Sequence, residues 1–184
     1  MLKNIGREFV CSGIHFQYYW HRIAKYLAMT FTSDQKRFMQ MAIDLSEQAI
    51  DSKKGGPFGA VITREGKIIG SSGNHVLECI DPTAHAEIMA IKDACRNMGS
   101  TDLSGCEIYS SAEPCPMCTA AIYWAGLKNI YFSNTEQESL DYGFIDKEIL
   151  EELRKPSTKR KIKASRIINS SAIKVFDKAL KQQG

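Results

Sequence analysis

The sequence predicts an α/β protein, a three-layer α/β/α sandwich built on a mixed central sheet. Three observations carry that prediction. A helical-spaced apolar run precedes a pair of strand-like runs joined by a tight turn. Two later strand-like runs are separated by a helical stretch, which makes them parallel neighbours. Turn residues fall between these segments, so helices and strands alternate along the chain.

The elements follow in order. Phe38, Met41, Ala42, Leu45 and Ala49 keep helical spacing behind Thr32-Ser33-Asp34, a cluster of N-cap residues. Gly55-Gly56-Pro57 breaks that helix, and Phe58 to Thr63 is rich in strand formers. Arg64-Glu65-Gly66 reads as a hairpin turn, with Lys67 to Ser71 as the return strand and Asn74 in the following loop. Asp81-Pro82-Thr83 reads as the start of the next helix, with Thr83 as N-cap; Ile88, Ala90, Ile91, Ala94 and Met98 continue it to Gly99. Cys106 to Ser111 is a strand. Glu113-Pro114-Cys115 leads into a helix ending near Gly126, on which Trp124 is expected in the core, and Lys128 to Phe132 is the next strand. The final third reads as mainly helical, with a further strand over 162–168 and a helix from Ser170 to Lys181.

Composition narrows the class. With 184 residues the chain favours one domain, large enough to bury a core without disulfides. We divide it into an N-terminal extension of unassigned role, residues 1–30, and a single domain, residues 31–184. The extension carries Phe16, Tyr18, Tyr19, Trp20 and Tyr26 without a clean period. Two readings of it stay open: an amphipathic segment that packs on a partner, or a stretch upstream of a start at Met29. No apolar run approaches the roughly 20 residues of a membrane-spanning helix. A net charge of +3 is too small to argue for nucleic acid. The basic residues from Arg154 to Arg166 read as a solvated stretch. The first 30 residues lack a continuous apolar run, and the cysteines lack the regular spacing of a secreted framework, so reduced thiols and a cytoplasmic location are expected.

The chemistry concentrates in His85-Ala86-Glu87 and Pro114-Cys115-Pro116-Met117-Cys118. One imidazole and two thiols are three zinc ligands, and three leave a coordination position open, as in catalytic zinc sites. We therefore expect one Zn²⁺ per chain on His85, Cys115 and Cys118. His15, His21 and His75 have no comparable spacing. Both ligand clusters fall at predicted helix starts, where free N–H groups and the helix dipole favour thiolate. Glu87, two residues beyond His85, is placed to act on a proton beside the metal without ligating it. The order His-x-Glu, then Pro-Cys-x-x-Cys, is the signature of zinc deaminases.

Residues 34 to about 153 resemble the guanine deaminases of the cytidine-deaminase-like superfamily. The resemblance rests on Gly55-Gly56-Pro57-Phe58-Gly59, on Asp81-Pro82-Thr83-Ala84-His85-Ala86-Glu87, on Glu113-Pro114-Cys115-Pro116-Met117-Cys118 and on Ala121-Ile122-Tyr123-Trp124. It implies a cytidine-deaminase-like fold, hydrolysis of guanine to xanthine and ammonia, a small purine substrate and no nucleic acid, and a homodimer. Guanosine and, further off, tRNA adenosine are the competing substrates it leaves. It also implies that Glu87 is catalytic, that Asn74, Phe58 and Ala86 contact the substrate, and that Asp146 positions it or relays protons. The chain departs from the similar enzymes at its end, Lys181-Gln182-Gln183-Gly184, where they carry an aromatic residue that reaches an active site.

Overall fold

A computed structural model describes residues 31–144 and 147–183. The 1–30 extension and Asp146 lie outside the described residues. Helix α1, Ser33–Asp51, starts with a reciprocal cap: Gln35 N–H donates to Thr32 Oγ1 (3.1 Å), and Thr32 N–H donates to Gln35 Oε1 (2.9 Å). Its buried stripe is Phe38, Ala42 and Ala49. The helix stops at Asp51, before the Gly-Gly-Pro run.

Strands β1 (Gly59–Arg64) and β2 (Lys67–Gly73) form the expected hairpin. Glu65 and Gly66 both take positive φ, 52° and 74°, which matches the twist of a two-residue turn. A short helix α2, Val76–Cys79, leads to α3, Ala86–Met98. Strand β3 (Glu107–Ala112), helix α4 (Pro116–Trp124) and strand β4 (Asn129–Asn134) form the β-α-β unit. Helices α5 (Glu136–Asp141), α6 (Lys147–Arg154) and α7 (Ser170–Gln183) follow, with a 3-10 turn at Ser157–Lys159.

The sheet order is β2-β1-β3-β4. β1 runs antiparallel to β2 and to β3, and β3 and β4 run parallel with Ile108 opposite Ile130, as the intervening helix requires. Alternation along the strands builds two cores. Val61 and Tyr109 face α1, where the Phe38 and Tyr109 rings lie 5.3 Å apart. Ala60, Ile62 and Ile108 face Ala86, Ala90 and Ala94 of α3 and Ile122 of α4. The predicted mixed sheet with helices on both faces is what forms. Gly59 is needed for the fit of α1, because a Cβ there would sit 2.1 Å from Ala42 O.

Three expectations are corrected. The helix expected to start with Thr83 as its N-cap begins two residues later. Asp81 Oδ1 accepts from Thr83 N–H (2.8 Å) and Thr83 Oγ1 (2.7 Å), so this stretch closes a side-chain turn, and His85 takes the N-cap position. Residues 162–168 form no strand. Ile162, Ile167 and Ile168 are 87%, 91% and 81% exposed, and no strand among the described residues pairs with this stretch. Trp124 is 90% exposed, not core: it ends the short α4, whose inward side is held by Cys118 and Ile122.

Candidate metal centre and active site

Two helix starts meet beyond the C-terminal end of β3, an interior strand of the sheet. His85 is the N-cap of α3 and Cys115 the N-cap of α4, both with extended backbone, and neither side chain is spent on capping its own helix. Pro116 opens the first turn of α4, where a missing N–H costs nothing. Cys118 follows within that first turn and is fully buried.

His85 Nδ1 lies 3.6 Å from Cys115 Sγ and 3.5 Å from Cys118 Sγ. A tetrahedral zinc with Zn–N near 2.0–2.1 Å and Zn–S near 2.3 Å holds its nitrogen and sulfur ligands about 3.5–3.6 Å apart. The three ligand atoms, all within 4.8 Å of one another, therefore fit zinc in number, chemical type and spacing. The thiols are tuned unequally. The Cys118 thiol bonded to Cys115, helped by His85, brings Cys115 down to about 4 against the effect of burial. That same contact, with burial, pushes Cys118 up. Metal binding replaces this shared proton, because zinc takes thiolates.

Glu87 stands in the first turn of α3 and is 5% exposed. Its Oε2 accepts from Cys118 Sγ at 3.4 Å and its Oε1 from Ser110 Oγ at 3.1 Å. Burial raises its pKa above the ordinary carboxyl value. A carboxyl in that setting holds and returns a proton nearer neutrality than an exposed one.

Asn74 is buried on the loop after β2. Its Oδ1 accepts from Val76 N–H (3.1 Å) and Gly56 N–H (3.3 Å). Both partners are donors, so the amide orientation is fixed and its NH₂ end is the one left to meet a ligand. The neighbouring loop has to be glycine: a Cβ on Gly55 would stand 2.0 Å from Asn74 Oδ1. Phe58 is half-buried, with its ring edge-on to Phe144, centroids 5.1 Å apart at 80°. Phe58, Phe144, Cys115, Glu113, Thr119 and Tyr123 line a pocket of about 430 Å³.

The cytidine and deoxycytidylate deaminase zinc-binding region matches residues 32–134. The chain belongs to this family. The deaminase is also 41% identical, over 129 residues, to the guanine deaminase of Bacillus subtilis, covering 70% of this chain and 83% of that one. A solved guanine deaminase structure from the same bacterium superposes with a TM-score of 0.77 at 37% identity, covering 79% of this chain and 93% of the other. A tRNA-specific adenosine deaminase of Aquifex aeolicus is 41% identical over a shorter 101 residues, 55% of this chain and 66% of that protein. The deaminase is thus a zinc-dependent hydrolytic enzyme of the α/β cytidine-deaminase-like fold. No helix among its described residues is long and apolar enough to cross a membrane.

The structure brings His85, Cys115, Cys118 and Glu87 together, with Asn74 and Phe58 on the adjoining loops. Ala86 is different. Its side chain is fully buried in the core between α3 and the sheet. Sequence reasoning missed Ser110 and Phe144. Ser110 left a trace: on β3 it shares a face with Ile108 and Ala112, and a hydroxyl among inward apolar positions marks a buried polar partner. Phe144 left none, because its meeting with Phe58 spans 86 positions of chain. The basic stretch proves local. Arg160 donates to the Leu153 and Lys155 carbonyls at 3.0 Å each, closing the end of α6, while Lys155 and Lys161 pair with Glu152 and Glu148.

Proposed function

We propose that this deaminase hydrolyses guanine to xanthine and ammonia. The observation that carries the reading is the buried Glu87 carboxyl beside the Cys118 corner of the ligand group, with the oriented Asn74 amide nearby. Zinc, when bound by His85, Cys115 and Cys118, supplies Lewis-acid chemistry that makes water nucleophilic near neutral pH. Glu87 takes a proton from the attacking water and delivers it to the ring nitrogen beside the amine-bearing carbon, which becomes more electrophilic. Glu87 then takes the second proton of that water, from the hydroxyl now on the ring carbon, and delivers it to the amine; the C–N bond breaks, the carbon keeps the oxygen as a carbonyl, and ammonia leaves as a neutral molecule. Asn74 donates its NH₂ to an acceptor on the purine edge. Phe58 forms a stacking platform, supported by Phe144. The backbone N–H of Ala86, at the first position of α3 and without an acceptor inside the helix, donates to the substrate. Asp146 positions substrate or relays protons from outside the described residues.

The assembly reads as a homodimer. Tyr123 and Trp124, 79% and 90% exposed on α4, offer aromatic surface for a second copy to cover. The free thiols of the described cysteines suit the cytoplasm.

The test is ammonia release by zinc-loaded protein from guanine, guanosine, cytosine, adenine and a tRNA anticodon stem-loop. Guanine is expected to be the best substrate. Clear turnover of guanosine with none of guanine overturns the free-base reading, and turnover of the stem-loop alone overturns the small-molecule one.

A further inference from the structure

We infer that Ser110 is the positioning residue of the proton-transfer step, holding the Glu87 carboxyl by one oxygen so that the other is free to work. The inference rests on the role given to Glu87 above.

Ser110 sits on the central strand β3 with 1% exposure. Its register partners are Ala60 on β1 and Phe132 on β4. Along β3 the side chains on its face are Ile108 and Ala112, and the facing layer is the alanine stripe of α3. A hydroxyl buried there is costly unless bonded. Its Oγ donates to Glu87 Oε1 at 3.1 Å, a contact between residues 23 apart that joins sheet to helix. The second oxygen, Oε2, is turned to Cys118 Sγ at 3.4 Å, the metal side. The two oxygens thus have separate partners.

The division matters because the last torsion of a glutamate side chain is broad and roughly twofold. A carboxyl held only by its stem would sample many planes. A hydrogen bond from a rigid central strand to one oxygen selects one plane and leaves the other oxygen aimed at the metal corner. Proton transfer is sensitive to that aim, since the transferring atoms must come within hydrogen-bond reach. Ser110 does not meet the substrate in this account; it acts through Glu87.

The experiment compares wild type, Ser110→Ala, Ser110→Thr, Glu87→Gln and the double variant Ser110→Ala/Glu87→Gln as zinc-loaded proteins. Ser110→Ala is expected to keep one zinc per chain and KM within about twofold, while kcat falls about ten- to a hundredfold, the scale of a lost hydrogen bond to an ionised group. Ser110→Thr, which keeps the hydroxyl, is expected to stay within a few-fold of wild type. In the Glu87→Gln background, Ser110→Ala is expected to change the residual kcat by less than about twofold, because its route to the chemistry is already gone. Crystal structures of wild type and Ser110→Ala should show the Glu87 carboxyl leaving its wild-type plane, a readout independent of turnover. An unchanged kcat in Ser110→Ala, an unmoved carboxyl, or an equal loss in both backgrounds overturns the inference. If Ser110→Ala does not fold, Ser110→Thr decides: a folded, zinc-bound Thr variant with kcat down tenfold overturns it, and near-normal turnover supports it. The series is read on whichever amine wild type deaminates best, so failure on guanine overturns the substrate reading alone.

Discussion

Helices α1 and α5 begin with the same device and end in different circumstances. In α1 Thr32 and Gln35 cap each other; in α5 Thr135 and Glu138 do so, with Thr135 N–H donating to Glu138 Oε2 at 2.8 Å. Only α1 then buries a stripe, and α5 has no buried residue. The contrast runs through the molecule. Every buried apolar side chain among the described residues lies between Phe38 and Ala125, while Ile173, Val175, Phe176 and Leu180 of α7 stay 58–69% exposed. A cap contributes about 1 kcal/mol, whereas one fully buried large apolar side chain contributes about 1.5–3 kcal/mol. The first region is held by its core, and the second by local hydrogen bonding. The second still reaches the site, because Phe144 and Leu150 line the pocket beside Cys115.

The largest effect expected belongs to the first region's metal group. Cys115→Ser or His85→Ala should abolish zinc binding and turnover together, measured by metal analysis and ammonia release. Cys106→Ser, a buried thiol outside the group, should keep its zinc. Zinc retained in full by both ligand variants would remove the metal assignment.

Glu87→Gln separates chemistry from architecture within the same region. The amide keeps the shape but cannot take a proton, so kcat should fall by at least about 10²–10⁴-fold with zinc content and melting temperature maintained. Near-normal turnover would assign the proton work elsewhere.

A smaller effect measures the comparison itself. Leu103 is fully buried and Phe176 is 67% exposed. Leu103→Ala should cost about 2–5 kcal/mol, and Phe176→Ala should stay within about 0.5 kcal/mol, both read by chemical denaturation. A large loss from Phe176→Ala would mean that α7 is covered in the assembled enzyme, and its size at different protein concentrations would show whether a second copy covers it.

The sequence alone determined the elements of the sandwich and the ligand group. Strand alternation, helical spacing and caps are local patterns with fixed periods, and His85, Glu87, Cys115 and Cys118 fall in two short motifs whose order carries their chemistry. Even so, the side-chain turn of Asp81 moved the start of α3 onto His85, an exchange of one local hydrogen-bonding option for another that residue preference does not rank. Tertiary structure decided what no local pattern encodes. It set which oxygen of Glu87 is held by Ser110, brought Phe144 to Phe58, and left Trp124 exposed where its apolar character alone suggested burial. These outcomes depend on which surfaces the fold brings face to face, and contacts between residues 23 and 86 positions apart are fixed only when the sheet and its helices close on one another.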